Sequence, residues 1–187
     1  MLNKELENSL KHLQQQKTIL YPTDTVWGLG CDATNEEAVA SIYKLKNRVE
    51  TKSLIILVDS LEMLLKYVEY IPQKAIDIIN SSEKPTTIIY NNPKGLAKNT
   101  IAQDNTIAIR IVKNDFCEKL IKEFGRPIVS TSANVSGEGT PKCFSEISNA
   151  VLDNVDYIVN LHHDKISDKS STILRIVNKD EIEVIRE

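Results

Sequence analysis

Tyr21-Pro22-Thr23-Asp24-Thr25-Val26-Trp27-Gly28-Leu29-Gly30 follows the short apolar run Thr18-Ile19-Leu20. Thr23, Asp24 and Thr25 bring two hydroxyls and a carboxylate, and two glycines close the stretch. Pro22 fixes its own φ and has no N–H, so a central strand does not simply continue through it. Gly28 and Gly30 allow backbone angles and close approaches that a Cβ would block. The pattern reads as a strand ending in a polar, glycine-punctuated loop, where α/β proteins present their ligands. A tight turn capped by Thr and Asp accounts for the same residues.

Upstream, Leu2, Leu6, Leu10 and Leu13 recur at helical spacing and predict an opening amphipathic helix. Downstream, Thr34 and Glu37 have capping-box spacing, and Ala38, Ile42 and Leu45 predict a helix to about Lys46. Leu54–Val58 is a continuous apolar strand. Ser60 caps a short helix, and Pro72 suits the first turn of another. Strands are expected over Thr86–Tyr90, Thr106–Ile111, Pro127–Thr131, Asp156–Val159, Thr172–Val177 and Ile182–Ile185. Between them, Asp115–Phe124 reads as a helix stopped by Gly125. Interleaved strands and helices give an α/β or α+β class with a sizeable mixed sheet.

The chain has 187 residues, enough for one domain with a real core. Its net charge is −3 and its pI about 5.7. That balance argues against attraction of the whole molecule to nucleic acid or an anionic membrane, though not against a local basic pocket. Cys31, Cys117 and Cys143 are odd in number, widely spaced and without a C-x-x-C, so neither a disulfide framework nor a zinc site is expected. No apolar run nears the ~20 residues of a membrane span. Met1-Leu2-Asn3-Lys4-Glu5 lacks the layout of a signal peptide, which leaves the cytoplasm as the expected location.

Lys46, Arg48 and Lys52 form a cationic cluster just after the predicted second helix. Such a run is a solvated helix end favoured by the macrodipole, or a clamp on phosphate oxygens built from a planar fork and point charges. No G-x-x-x-x-G-K-[ST] is present, so it is not a P-loop. Ser130-Thr131-Ser132-Ala133-Asn134-Val135-Ser136-Gly137 follows a strand. Its hydroxyls and amide either bind a ligand or make turns within the loop. No G-x-S-x-G elbow occurs, and His162-His163 read as a surface loop rather than a metal site. Arg110 ends the apolar strand Thr106-Ile107-Ala108-Ile109 and needs a partner for its charge. A structural carboxylate would serve, and so would a substrate's. Ser170-Ser171-Thr172 either enters a strand or closes a pocket.

In this order the elements resemble the YrdC-like family of threonylcarbamoyl-AMP synthases in its short, single-domain form. The resemblance rests on P-T-D-T-V-W-G-L-G at Pro22–Gly30, K-N-R at Lys46–Arg48 with Lys52, A-I-R at Ala108–Arg110, S-A-N-V-S-G at Ser132–Gly137 and S-T-I at Ser171–Ile173. It implies one domain over 1–187, with a twisted, mostly parallel mixed sheet flanked by helices around a positively charged cavity. It also implies synthesis of L-threonylcarbamoyladenylate and pyrophosphate from L-threonine, bicarbonate or CO2, and ATP. Magnesium would be held through the phosphates, and a partner transferase complex would move the product group onto tRNA.

By the same resemblance, Thr25, Arg110, Ser132, Ser171 and Thr172 bind threonine. Arg48, Lys52, Thr106, Asn134 and Lys142 bind ATP, and Lys46, Arg48 and Lys52 form the catalytic cations. Departures from the family pattern bear on loop rigidity and pocket width. Trp27 stands where Tyr is usual, Val49 and Ser53 replace prolines, and Glu83-Lys84-Pro85-Thr86-Thr87 lacks the glycine of P-G-P-x-T. Arg175 stands where an acidic residue is frequent. Two rival functions are a double-stranded RNA or tRNA-binding module, and a carbamoyl-transfer role in hydrogenase maturation. The second normally comes with cysteine-rich modules that this chain lacks.

Overall fold

Leu2–Gln14 forms the first helix, α1, of the computed structural model, which describes residues 1–48, 54–167, 170–179 and 181–187. Lys52, Val49 and Ser53 lie outside the described residues. α1 buries Leu6 and Leu13 together with Glu5. The Glu5 carboxylate accepts from the Tyr157 hydroxyl (2.6 Å) and the Asn160 N–H (2.9 Å), which satisfies a charge that burial alone would penalise.

The next helix, α2, spans Glu36–Leu45. Its N-cap is Asn35, whose Oδ1 accepts from the Ala38 N–H at 2.8 Å. Thr34, the expected cap, instead donates its N–H and hydroxyl to Asp32 Oδ1 (2.9 and 2.7 Å). An Asx-type turn has taken the threonine out of competition. Ser60 caps α3 (Leu61–Tyr67), and Pro72 precedes α4 (Gln73–Ser81). Asn114 caps α5 (Asp115–Phe124), which ends at Gly125 with φ +70°, the left-handed cap that glycine adopts without a Cβ penalty. A short α6, Asn149–Leu152, was not expected.

Nine strands form one sheet: β1 (Ile19–Tyr21), β2 (Gly28–Gly30), β3 (Ile55–Val58), β4 (Thr86–Asn91), β5 (Thr106–Ile111), β6 (Ile128–Ser132), β7 (Tyr157–Ile158), β8 (Thr172–Ile176) and β9 (Ile182–Arg186). Their order is β7-β1-β2-β6-β3-β5-β4-β8-β9. The sheet is mixed, as expected, but antiparallel rather than parallel pairings predominate. Among the described residues, only β1–β7, β3–β5 and β4–β8 run parallel. Part of the reason lies in the connections. β1 and β2, and β8 and β9, are joined without an intervening helix, and such short links permit only antiparallel neighbours. α1 packs on α5 and β1, while α3 and α5 pack on β3. The central strands are accordingly sealed, with Ile56, Leu57, Ile107 and Val129 fully buried. Among the described residues, no helix is long and apolar enough to cross a membrane.

Candidate active site

The glycine-punctuated segment is less of a loop than its composition suggests. After the Pro22–Trp27 turn the chain re-enters the sheet as β2, pairing Leu29 with Leu20 on one side and with Thr131 on the other. Two glycines make this strand unreadable by propensity, yet Gly30 is there for a steric reason. A Cβ on it would lie 2.5 Å from Val129 O and 2.6 Å from Tyr21 Cε1. The tight fit sets the P-T-D-T and S-T-S-A-N segments side by side, and the Ala133 N–H donates to Trp27 O at 3.1 Å.

Where these strands end, a cavity of about 360 Å³ opens. Thr25, Arg48, Arg110, Ser132 and Ser171 all line it. Residues chosen from separate stretches of sequence thus meet around one hollow. Arg186, from β9, lines it as well, so three arginines and no carboxylate stand among the described lining residues. Sequence reasoning missed Arg186. Its signal was the one that singled out Arg110: an arginine at the end of an apolar strand, here Val184-Ile185-Arg186.

Arg110 is buried, and its Nη2 lies 3.1 Å from Asp24 Oδ1, on a side chain equally buried. The pair is close enough for charge attraction but not aligned as a hydrogen bond. Asp24 is held from behind by the Lys113 N–H, which donates to Oδ2 at 3.2 Å. The guanidinium donates only long bonds, to Thr25 Oγ1 and Thr87 Oγ1, both 3.4 Å, and its Nε has no hydrogen-bond partner. An arginine so placed is neutralised by the fold yet retains donor capacity for a carboxylate. Behind it, burial pushes the Cys117 thiol well above its ordinary pKa, with Asp24's charge adding to the rise.

Lys46 does not line the cavity. It is fully buried, and its ammonium donates to Ser132 O (2.5 Å) and Asn134 O (2.6 Å). Burial brings its pKa down to about 8, Arg48 adding to the fall and Glu138 opposing it. Asn134 donates its amide to Val135 O and Glu138 O, while its buried Oδ1 has no hydrogen-bond partner.

The remaining candidates lie apart from the lining. Thr106 starts β5 and donates to Asp104 Oδ1 at 2.7 Å. Thr172 opens β8, its N–H donating to Pro85 O. Lys142 is exposed, its N–H donating to Glu146 Oε2. Arg175 meets Asp104 at 2.6 Å. Trp27, in the cavity wall, is backed by Phe144 and His163, whose rings stack at 3.8 Å. The second histidine is therefore a packing residue rather than a free loop side chain.

The chain is similar to several known proteins. A family model named Sua5_yciO_yrdC and described as telomere recombination matches residues 11–187. A threonylcarbamoyl-AMP synthase of Pseudoalteromonas translucida (strain TAC 125) is 38% identical over 151 residues, covering 79% of this chain and 81% of that protein. One from Idiomarina loihiensis is 33% identical over 172 residues, covering 90% of each. Among solved structures, P. abyssi Sua5 complexed with L-threonine superposes with a TM-score of 0.83 at 25% identity. The match covers 92% of this chain, which spans about half (51%) of that one. E. coli YciO has the same fold, with a TM-score of 0.85 at 22% identity over all of this chain and 90% of its own.

Proposed function

The chain belongs to the Sua5/YciO/YrdC family, and from that membership we propose that it makes L-threonylcarbamoyladenylate and pyrophosphate from L-threonine, bicarbonate or CO2, and ATP. The observation that carries this reading is the meeting of Thr25, Arg48, Arg110, Ser132 and Ser171 around one cavity.

The residues suit the chemistry. Threonine's amine takes up CO2 as a carbamate. A carbamate oxygen attacks the α-phosphorus of ATP, the bond to the β-phosphate oxygen breaks, and pyrophosphate leaves with the electron pair. The nucleophile belongs to the substrate, so no Ser-His-Asp set is required. The protein's part is to align the reactants and to stabilise charge building on the phosphates. Arg110 holds the threonine carboxylate, with Thr25, Ser132, Ser171 and Thr172 around the amino acid. Arg48 is assigned to the phosphates, as is Lys52 on the strength of the resemblance, while Arg186, which donates to Ser171 O at 2.8 Å, stands at the threonine end. By the resemblance Thr106, Asn134 and Lys142 are assigned to the nucleotide, although none of the three lines the cavity. Lys46 supports the reaction by fixing the Ser132–Asn134 loop. A carbamate breaks down in water, so a walled cavity protects it.

Magnesium would neutralise phosphate charge when it arrives on the triphosphate. Among the described residues no group of three or more His, Cys, Asp or Glu stands together. We read residues 1–187 as one domain and assign the product to a tRNA-modifying transferase in the cytoplasm. Incubation with ATP, threonine and bicarbonate tests the reading. Pyrophosphate should form only when all three are present, and formation without threonine would refute it.

A further inference from the structure

Hydrogen-bond directions along the cavity floor are set by groups that act in one sense only. Arginine can donate but never accept. Arg110 Nη1 donates to Thr87 Oγ1 at 3.4 Å, and Thr87 Oγ1 donates in turn to Ser171 Oγ at 2.9 Å. Arg186 Nη2 donates to the same Ser171 Oγ at 3.4 Å. Both lone pairs of Ser171 Oγ are then occupied, so this lining residue has only its proton to offer a ligand.

The opposite holds at Thr25. Thr23 Oγ1 donates to Val26 O (2.7 Å) and accepts from the Thr25 N–H (3.0 Å). Its one proton is committed, so in the 3.0 Å contact between the two hydroxyls Thr25 is the donor. Thr25 Oγ1 also accepts from Arg110 Nη2. What remains to it is a single lone pair, and towards a ligand it is an acceptor only.

We propose that Thr87 is a positioning residue that sets this polarity and thereby orients the bound amino acid. Thr87 is fully buried on β4, in register with Ile173 of β8, beside Ser171. It makes Ser171 a donor and gives Arg110 Nη1 an acceptor. The amino acid then binds with its carboxylate against Ser171 and Arg110 and its amine towards Thr25. The reversed pose would set carboxylate oxygens against the Thr25 lone pair and N–H groups against the Ser171 proton. The Thr87 side chain itself touches neither substrate. This assignment rests on threonine being the substrate.

Calorimetry with L-threonine and steady-state pyrophosphate release test it on the wild type, Thr87→Val and Thr87→Ser. The valine variant keeps the shape but loses the relay. Its threonine affinity should fall about tenfold, the loss of a hydrogen-bonding arrangement to a charged group, and its KM for threonine should rise in parallel. Its KM for ATP should stay within twofold. Thr87→Ser retains the hydroxyl and should bind threonine like the wild type. If the valine variant does not fold, Thr87→Ala carries the same expectation. Threonine affinity within twofold of wild type in a folded hydroxyl-free variant overturns the proposal. So does a serine variant that binds as weakly as the valine one. A wild type that binds no threonine overturns the functional reading itself, and that result appears before any variant is made.

Discussion

The Lys46 ammonium sits 2.5 Å from the carbonyl oxygen of Ser132, a residue 86 positions further along the chain. It thus ties the end of α2 to the end of β6, and a second bond to Asn134 O makes the tie two-pronged. Placing a charge there has a cost that depends on pH. The folded-state pKa, about 8, lies below the ordinary value of 10.5. Between these two values the unfolded chain binds more protons than the folded one, so stability rises with pH there. Lys46 should add up to about 3 kcal/mol as the pH is raised from 8 to 10.5. Denaturant unfolding at several pH values checks this, with Lys46→Met as the reference. The wild type should gain on the variant over that window, and parallel curves would show the charge to be well solvated.

Arg48→Ala should impair ATP use far more than the fold. A charge-assisted contact to phosphate is worth about 1.5–3 kcal/mol, so kcat/KM for ATP should fall by at least tenfold. Pyrophosphate release at the wild-type rate would remove Arg48 from the phosphate site.

Arg110 and Asp24 should be inseparable energetically. Replacing one partner of a buried ion pair leaves the other uncompensated, which typically costs about 3–5 kcal/mol. Arg110→Met should therefore both abolish threonine binding and destabilise the protein. Adding Asp24→Asn to it should recover much of the stability and none of the binding. A double-mutant cycle in urea, run beside threonine calorimetry, separates these effects.

Gly30→Ala should destabilise the sheet by about 1–3 kcal/mol, since the new methyl meets Val129 O and the Tyr21 ring with no room to relax. At Gly139 an added methyl would meet nothing within 4 Å, so Gly139→Ala gives the control. A Gly30→Ala midpoint equal to that of Gly139→Ala would mean that the strands separate easily there.

Elements governed by near neighbours were legible in the sequence. The α5 helix is the clearest case. Its periodic apolar residues and closing Gly125 placed both ends to the residue. Ser60 and Pro72 marked helix starts for similarly local reasons. β2 was hidden because a Gly-Leu-Gly strand has no propensity of its own and exists through its packing between β1 and β6. Thr34 has the spacing of a cap but does not act as one, because Asp32 competes for it within a turn. Arg48, Arg110 and Ser132 stood out as chemical types at strand or helix ends, and they do line one cavity. Arg186 escaped notice although it ends an apolar strand as Arg110 does, because the bond to Ser171 that brings it to the cavity is a tertiary contact.

From the order of residues alone came most of the helices and strands, the mixed α/β class and a set of candidate side chains for a carboxylate and a triphosphate. Periodicity, caps and turn residues act over a few positions, and that is why they could be read in advance. Folding decided which of those side chains face the cavity and which prop it up. Lys46 was turned inward to hold carbonyls, Asp24 was set against Arg110, and Thr87 was placed where it directs the proton of a serine 84 residues away. Such directions arise when distant strands pack into one sheet and every buried donor has to find an acceptor.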